Sequence, residues 1–143
     1  MNAAEITRLE AYLKKLLGSS TVSIRARGKE EADLLANGAA IAEITRDDDE
    51  GELSYYVNMG VSRVKGSPKN APIDEAERAR MQSELREKLG APKLDVRPRP
   101  RKTDSAEVYV GEEFIGTLSR EDAGEIGAYL TMSILELDLD EAG

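Results

Sequence analysis

The chain has 143 residues and a formal net charge of −8, with 40% apolar and 34% charged residues. That is the balance of a soluble globular protein long enough to bury a sizeable core, and no run approaches the roughly 18 apolar residues of a membrane span. With no cysteine there can be no disulfide, thiolate metal site or cysteine nucleophile, and with no histidine the commonest general base and metal ligand are missing.

The N-terminal stretch MNAAEITRLE has no basic segment followed by an apolar one, so no secretory signal is expected. A helix is. Asn2 and Glu5 are spaced as the partners of a capping box, and Ile6, Leu9, Leu13, Leu16 and Leu17 fall at helical spacing beside Tyr12. Lys14 and Lys15 suit the negative end of that helix, and Gly18 suits a left-handed C-terminal cap. The period then switches to two. Val22, Ile24 and Ala26 alternate with Ser23, Arg25 and Arg27, which predicts a strand with its arginines on one face. The segment ADLLANGAAIAEI turns at Asn37-Gly38 but reads less clearly as strand. An acidic turn, RDDDEGE, leads to alternating Leu53, Tyr55, Val57, Met59 and Val61.

The same order then recurs. Asp74 and Glu77, again spaced as the partners of a capping box, open a second helix with a narrower stripe, Met81, Leu85 and Leu89, and Gly90 closes it. Leu94, Val96 and Pro98 alternate with Asp95, Arg97 and Arg99 in a strand whose prolines, Pro98 and Pro100, suit a sheet edge. The stretch AEVYVGEEFIGTL reads as a hairpin, REDAGE as a turn, and Ile126, Ala128, Leu130, Met132 and Ile134 as the last strand. In the tail LELDLDE the alternation continues through Leu135, Leu137 and Leu139.

Sliding the chain by 72 positions pairs Glu5 with Glu77, Arg8 with Arg80, Leu13 with Leu85, Gly18 with Gly90, Arg25 with Arg97 and Arg27 with Arg99. After a one-residue insertion, an offset of 73 pairs Gly38 with Gly111, Asp49 with Asp122, Tyr56 with Tyr129 and Met59 with Met132. The expected architecture is therefore α+β: a tandem duplicated module, residues 1–61 and 74–143 joined by a linker at 62–73, each a helix followed by an antiparallel meander of three or four strands. About 70 residues alone rarely supply more than about 3–5 kcal/mol, so the two copies are expected to pack as one pseudo-twofold unit.

Four features are candidates for function. Arg25, Arg27 and Lys29 with Arg97, Arg99, Arg101 and Lys102 could form a basic face for phosphates or for an acidic partner. The structural alternative is neutralisation by cross-strand carboxylates such as Glu43 and Glu107. Tyr56 and Tyr129 hold matching positions opposite the core residues and suit a protein interface. The first-copy strand, with Ala26 and Gly28 in place of the prolines, is a candidate open edge for strand addition. The acidic turn Asp47, Asp48, Asp49 and Glu50 lacks the ligand spacing of a calcium loop and reads as a solvated turn. No glycine-rich phosphate loop precedes a helix, and no pair of acids is singled out for acid–base chemistry.

At RPRPRKTDSAEVYVGEEFIGTL and the ending MSILELDLD, the second module resembles a small uncharacterised alphaproteobacterial family whose members are about one module long and carry a domain of unknown function. The first module departs from that pattern, with Ile41 where Phe114 stands. The resemblance implies fold and compartment and carries no chemistry. The expected function is a non-catalytic, cofactor-free, cytoplasmic protein-binding adaptor or chaperone-like module. The alternative is an anion- or nucleic-acid-binding protein acting through the two arginine strands, a reading that the pI of 4.7 disfavours through its long-range field.

Overall fold

The computed structural model describes residues 1–68 and 70–142, the side chains of Glu50, Asp122, Ala123 and 140–142 excepted. Helix α1 (Ala3–Leu17) begins at the predicted capping box: the Asn2 side chain accepts from the Glu5 N–H at 2.8 Å, and the Glu5 carboxylate accepts from the Asn2 N–H at 3.1 Å. Gly18 closes the helix at φ 64°, a region open to glycine because it has no Cβ. Helix α2 (Glu75–Leu89) is capped by Asp74, which accepts from the Glu77 N–H, and closed by Gly90 at φ 62°. The second half of its predicted box is not made, because the Glu77 carboxylate takes guanidinium donors from Arg80 and Arg120 instead. Leu9, Leu13 and Leu17 in α1, and Met81, Leu85 and Leu89 in α2, are buried at equivalent positions 72 residues apart. Ile6, Tyr12 and Leu16 add a partly buried flank to α1.

Each helix leads into four strands: β1 (Val22–Ala26), β2 (Glu31–Ala36), β3 (Ala39–Asp47) and β4 (Ser54–Ser62), then β5 (Leu94–Arg99), β6 (Lys102–Val110), β7 (Glu113–Ala123) and β8 (Ile126–Leu135). All eight form one antiparallel sheet in the order β1-β2-β3-β4-β8-β7-β6-β5. The last strands of the two copies therefore pair at the centre, and the first strands lie at opposite edges. One residue in two from each strand is buried beneath the helices, including Ile24, Leu34, Ile44 and Val57 in the first copy and Val96, Val108, Leu118 and Leu130 in the second. These side chains make a single core that spans both copies. Among the described residues, the other face of the sheet carries no helix.

Pairing registers refine the repeat. Leu34 faces Ile24 as Val108 faces Val96, and Ile44 faces Val57 as Leu118 faces Leu130. Within the hairpins the copies therefore stand 74 positions apart, one more than the sequence match implies. Asn37, at φ 52°, takes the place of Gly111, and Ala40 rather than Ile41 takes the place of Phe114. The change of offset falls between Pro98 and Ala106, where the register of β5 and β6 shifts after Pro98; the bulges after Leu34 and Val108 are common to both copies. The ANGAA stretch that looked ambiguous is a regular hairpin whose two turn residues, Asn37 and Gly38, both have positive φ.

The tail is a second correction. Residues Glu136–Ala142 form a helix, α3, not a continuing strand. Strand β8 loses its partner where β4 begins, at the Ser54–Leu135 pair, and the Leu135 N–H donates to the Asp138 carboxylate at 2.9 Å, as at a helix start. Of the alternating leucines only Leu139 is buried. The acidic turn forms a 3-10 turn at Asp49–Gly51. The side chains of Glu50 and of Asp122, the proposed match of Asp49, lie outside the described residues, as does Lys69 of the predicted linker.

Candidate functional site

The uncovered face of the sheet is built from the alternate residues that each strand turns away from its helix. One rung crosses all eight strands: Arg25, Asp33, Glu43, Asn58, Thr131, Thr117, Glu107 and Arg97 stand in successive cross-strand register. From either end the rung begins with arginine and then a carboxylate; the third position is Glu43 in the first copy and Thr117 in the second. The two arginine strands thus share a face but occupy its opposite edges, seven strand spacings or about 34 Å apart. They do not meet as one basic patch.

In the first copy the arginines are satisfied by carboxylates. Arg25 pairs with Asp33 at 3.1 Å, and Arg27 with Glu31 at 3.1 Å, Glu43 at 3.5 Å and Asp33 at 3.7 Å. In the second copy Arg97 lies over the Tyr109 ring, 4.1 Å from its centre, and donates to the Gly111 carbonyl at 2.9 Å with Asp95 at 3.5 Å. Glu107, opposite Arg97, accepts instead from the Tyr109 hydroxyl. Arg99 donates to the Ser105 hydroxyl at 3.0 Å, and Arg101 stands exposed in the β5–β6 turn at φ 64°. Lys29 is exposed in the β1–β2 connection and Lys102 at the start of β6.

At each edge one outward amide is capped by a helix side chain, a device that the sequence reading missed. The amide of Ile24 points outward from β1 and donates to the Glu10 carboxylate of α1 at 3.0 Å. The amide of Val96 points outward from β5 and donates to the Gln82 side chain of α2 at 2.9 Å. Each pair is the other displaced by 72 positions, so the signal was present in the repeat once helix and strand positions are compared together. The second edge is further blocked, because Arg86 donates to the Leu94 carbonyl at 2.6 Å and Pro98 has no amide to offer. Strand addition at β1, expected from Ala26 and Gly28, meets a capped amide at the middle of a five-residue strand.

Tyr56 and Tyr129 both lie on the uncovered face, flanking the central Asn58–Thr131 pair at equivalent distances, Tyr56 opposite Ser133 and Tyr129 opposite Gly60. Tyr129 borders a shallow cavity of about 410 Å³ over β2, β3, β4 and β8, lined by Asp33, Ala40, Ile41, Glu43, Gly60 and Ile126. In the second copy the equivalent ground is filled by Phe114, which meets Tyr109 edge-on at 5.5 Å between ring centres. The two halves of the face thus differ: small residues and a hollow on one side, a cation–aromatic stack on the other.

Beneath the sheet two buried latches fix the helices. Glu5 accepts from Arg46 Nε and from the Tyr55 hydroxyl, each at 2.7 Å. Burial raises the Glu5 carboxyl, but the hydrogen bonds from Tyr55, Asn2 and Arg46 outweigh it and hold the group below its ordinary 4.5. Burial and the Glu5 charge push the Tyr55 phenol up to about 12. In the second copy Glu77 is held down chiefly by Arg80, against burial, with help from Arg120, whose side chain is only 6% exposed. These acids are spent on structure. Among the described residues no cluster of acids could hold a metal ion, and no helix is long and apolar enough to cross a membrane.

Geometry and repeat together define the class: a duplicated α+β module whose two copies share one eight-stranded antiparallel sheet. The chain belongs to the family described as Protein of unknown function (DUF3126), which matches it twice, over residues 5–63 and 77–138. No curated protein and no solved structure matches the chain.

Proposed function

We propose that the protein is a non-catalytic, cytoplasmic protein-binding adaptor and that its binding surface is the uncovered face of the sheet. One observation carries this reading: a face eight strands wide is left without a helix while both of its edges are capped from the side. Each edge strand receives a cap from its helix at one amide, and the face receives none. Tyrosine and arginine, the residues enriched at protein interfaces, stand on it at Tyr56, Tyr129, Tyr109 and Arg97. We infer further that the two copies are related by a pseudo-twofold axis through the Asn58–Thr131 pair, which would present a partner with two related half-surfaces. Binding of nucleic acid would have to bridge arginines held about 34 Å apart and would compete with the carboxylates that already pair with Arg25 and Arg27.

The test is capture of partners from lysate by the wild type, by Tyr56→Ser/Tyr129→Ser, and by a variant with Arg25, Arg27, Arg97 and Arg99 changed to Ser, each checked by thermal melt. Protein partners lost from the folded tyrosine variant support the reading. Partners kept by that variant contradict it. Nuclease-sensitive material lost only from the arginine variant would install the nucleic-acid alternative.

A further inference from the structure

Exposed apolar side chains are not spread evenly over this molecule. Five large ones are exposed among the described residues: Tyr56, Val64, Phe114, Leu135 and Leu137. Three of them, Tyr56, Phe114 and Leu135, stand at one end of the uncovered face, and Leu137 follows on α3 at the same end of the sheet. Strand β8 ends at Leu135 opposite Ser54 at the start of β4, and the Ser54 hydroxyl donates to the Tyr56 hydroxyl at 3.4 Å. The antiparallel neighbour β7 begins at the same end, with Phe114 as its second residue. Helix α3 continues from Leu135 and carries Leu137, which is 62% exposed. Leu53, Leu135 and Leu137 line a groove of about 300 Å³ with Gly51, Glu52 and Glu136.

The charges around that groove have one sign. Glu52 and Glu136 line it, Asp48 and Asp49 belong to the β3–β4 connection that leads into it, Asp138 stands one residue past Leu137 on α3, and Glu112 and Glu113 lie where β6 turns into β7 at the same end of the sheet. Helix α3 follows directly from the end of β8, and β7 begins beside that end, so the two elements stand at the same end of the sheet. Arg46, the cation of the first turn, is consumed by Glu5 and Asp48. An exposed leucine pair gains when a partner covers it; the neighbouring carboxylates choose a partner whose apolar side chains are flanked by cations.

We propose that this acidic, apolar end of the sheet is the docking site for a basic amphipathic segment of a partner protein, with leucine-like side chains entering the Leu53–Leu135–Leu137 groove and lysine or arginine reaching Glu52 and Glu136. The proposal rests on the reading of the uncovered face as a protein-binding surface and gives that surface's partner a chemistry. It reverses the polarity that the arginine strands suggest: the cations belong to the partner.

The probe is a synthetic 18-residue peptide of leucine and lysine patterned at helical period, with the same pattern in leucine and glutamate as control, followed by fluorescence anisotropy. The lysine peptide binds the wild type, more weakly at 0.5 M than at 0.1 M salt, and the glutamate peptide does not. Leu135→Ser/Leu137→Ser, both at exposed positions, weakens binding at least tenfold. Glu52→Lys/Glu136→Lys loses the lysine peptide and gains the glutamate one. No binding of the lysine peptide, or equal binding by the leucine variant, overturns the proposal. If partners captured from lysate are nevertheless lost from Tyr56→Ser/Tyr129→Ser, the uncovered face stands and only the partner's chemistry falls. If the peptide binds as expected while captured partners survive the tyrosine changes, the docking site is confined to this end and the wider face is not the surface.

Discussion

At the scale of single residues, the two glutamates at the third position of the helices do different work from most of the 28 acids in the chain. Glu5 and Glu77 cap or orient a helix start and hold an arginine from the third strand of their own module, Arg46 or Arg120. Both carboxyls titrate below their ordinary value, so the stability they contribute is full above about pH 4.5 and is lost as pH falls through their lowered values. We expect Glu77→Gln to lower the melting temperature at pH 7 and to flatten its fall between pH 5 and pH 3; an acid limb identical to wild type would contradict the latch. Tyr55 runs the other way. Its raised phenol favours the neutral form in the fold, so its contribution is full below pH 10 and fades as pH rises toward 12. Tyr55→Phe deletes a hydrogen bond to a charged acceptor and should cost about 1.5–3 kcal/mol in urea unfolding at pH 7. The capping role of Glu5 was legible from its spacing to Asn2. Its bond to Tyr55 was not, because fifty residues separate them and no local pattern joins a helix start to a central strand.

At the scale of elements, the repeat made both helices, both first strands and both last strands readable, since each shows its own period of 3.6 or 2. The hairpins were harder. The second copy holds two more residues between Pro98 and Ala106 than the first holds between Ala26 and Ala32, and identity matching credited only one, which is why Phe114 seemed to stand opposite Ile41 instead of Ala40. The tail failed for the converse reason: Leu135, Leu137 and Leu139 keep strand period in a segment that has no strand to pair with. The edge caps follow from packing alone, since Glu10 and Gln82 look like ordinary solvent-facing helix positions until α1 and α2 are laid against β1 and β5. Replacing Glu10 by Leu leaves the Ile24 amide open, and the edge of β1 then offers a template to another chain. We predict concentration-dependent association of Glu10→Leu by light scattering. Gln82→Leu should remain unassociated, because Arg86 and Pro98 still block β5. Association of both variants alike, or of neither, would contradict this account of the edges.

At the scale of the whole molecule, two copies that could not each fill a core share one, and the joint is the β4–β8 pair at the centre of the sheet. The sequence foretold the duplication and the single unit but not the way the copies join, since the order of strands in a sheet depends on long-range pairing that neither period nor spacing encodes. A shared core predicts one cooperative unfolding transition. Leu13→Ala and Leu85→Ala, one in each copy, should each lower that same transition by about 2–5 kcal/mol; two separated transitions by calorimetry would show the copies to be independent. The continuous sheet also leaves a face wide enough for a partner, and the central claim is that partners bind there and not on the helices or edges. The most direct measurement places a photo-crosslinking amino acid at Thr131, exposed at the middle of that face, and separately at Glu87, exposed on α2. The account predicts protein adducts from position 131 and none from position 87. Adducts from position 87 alone would put the binding surface on the helical side and contradict it.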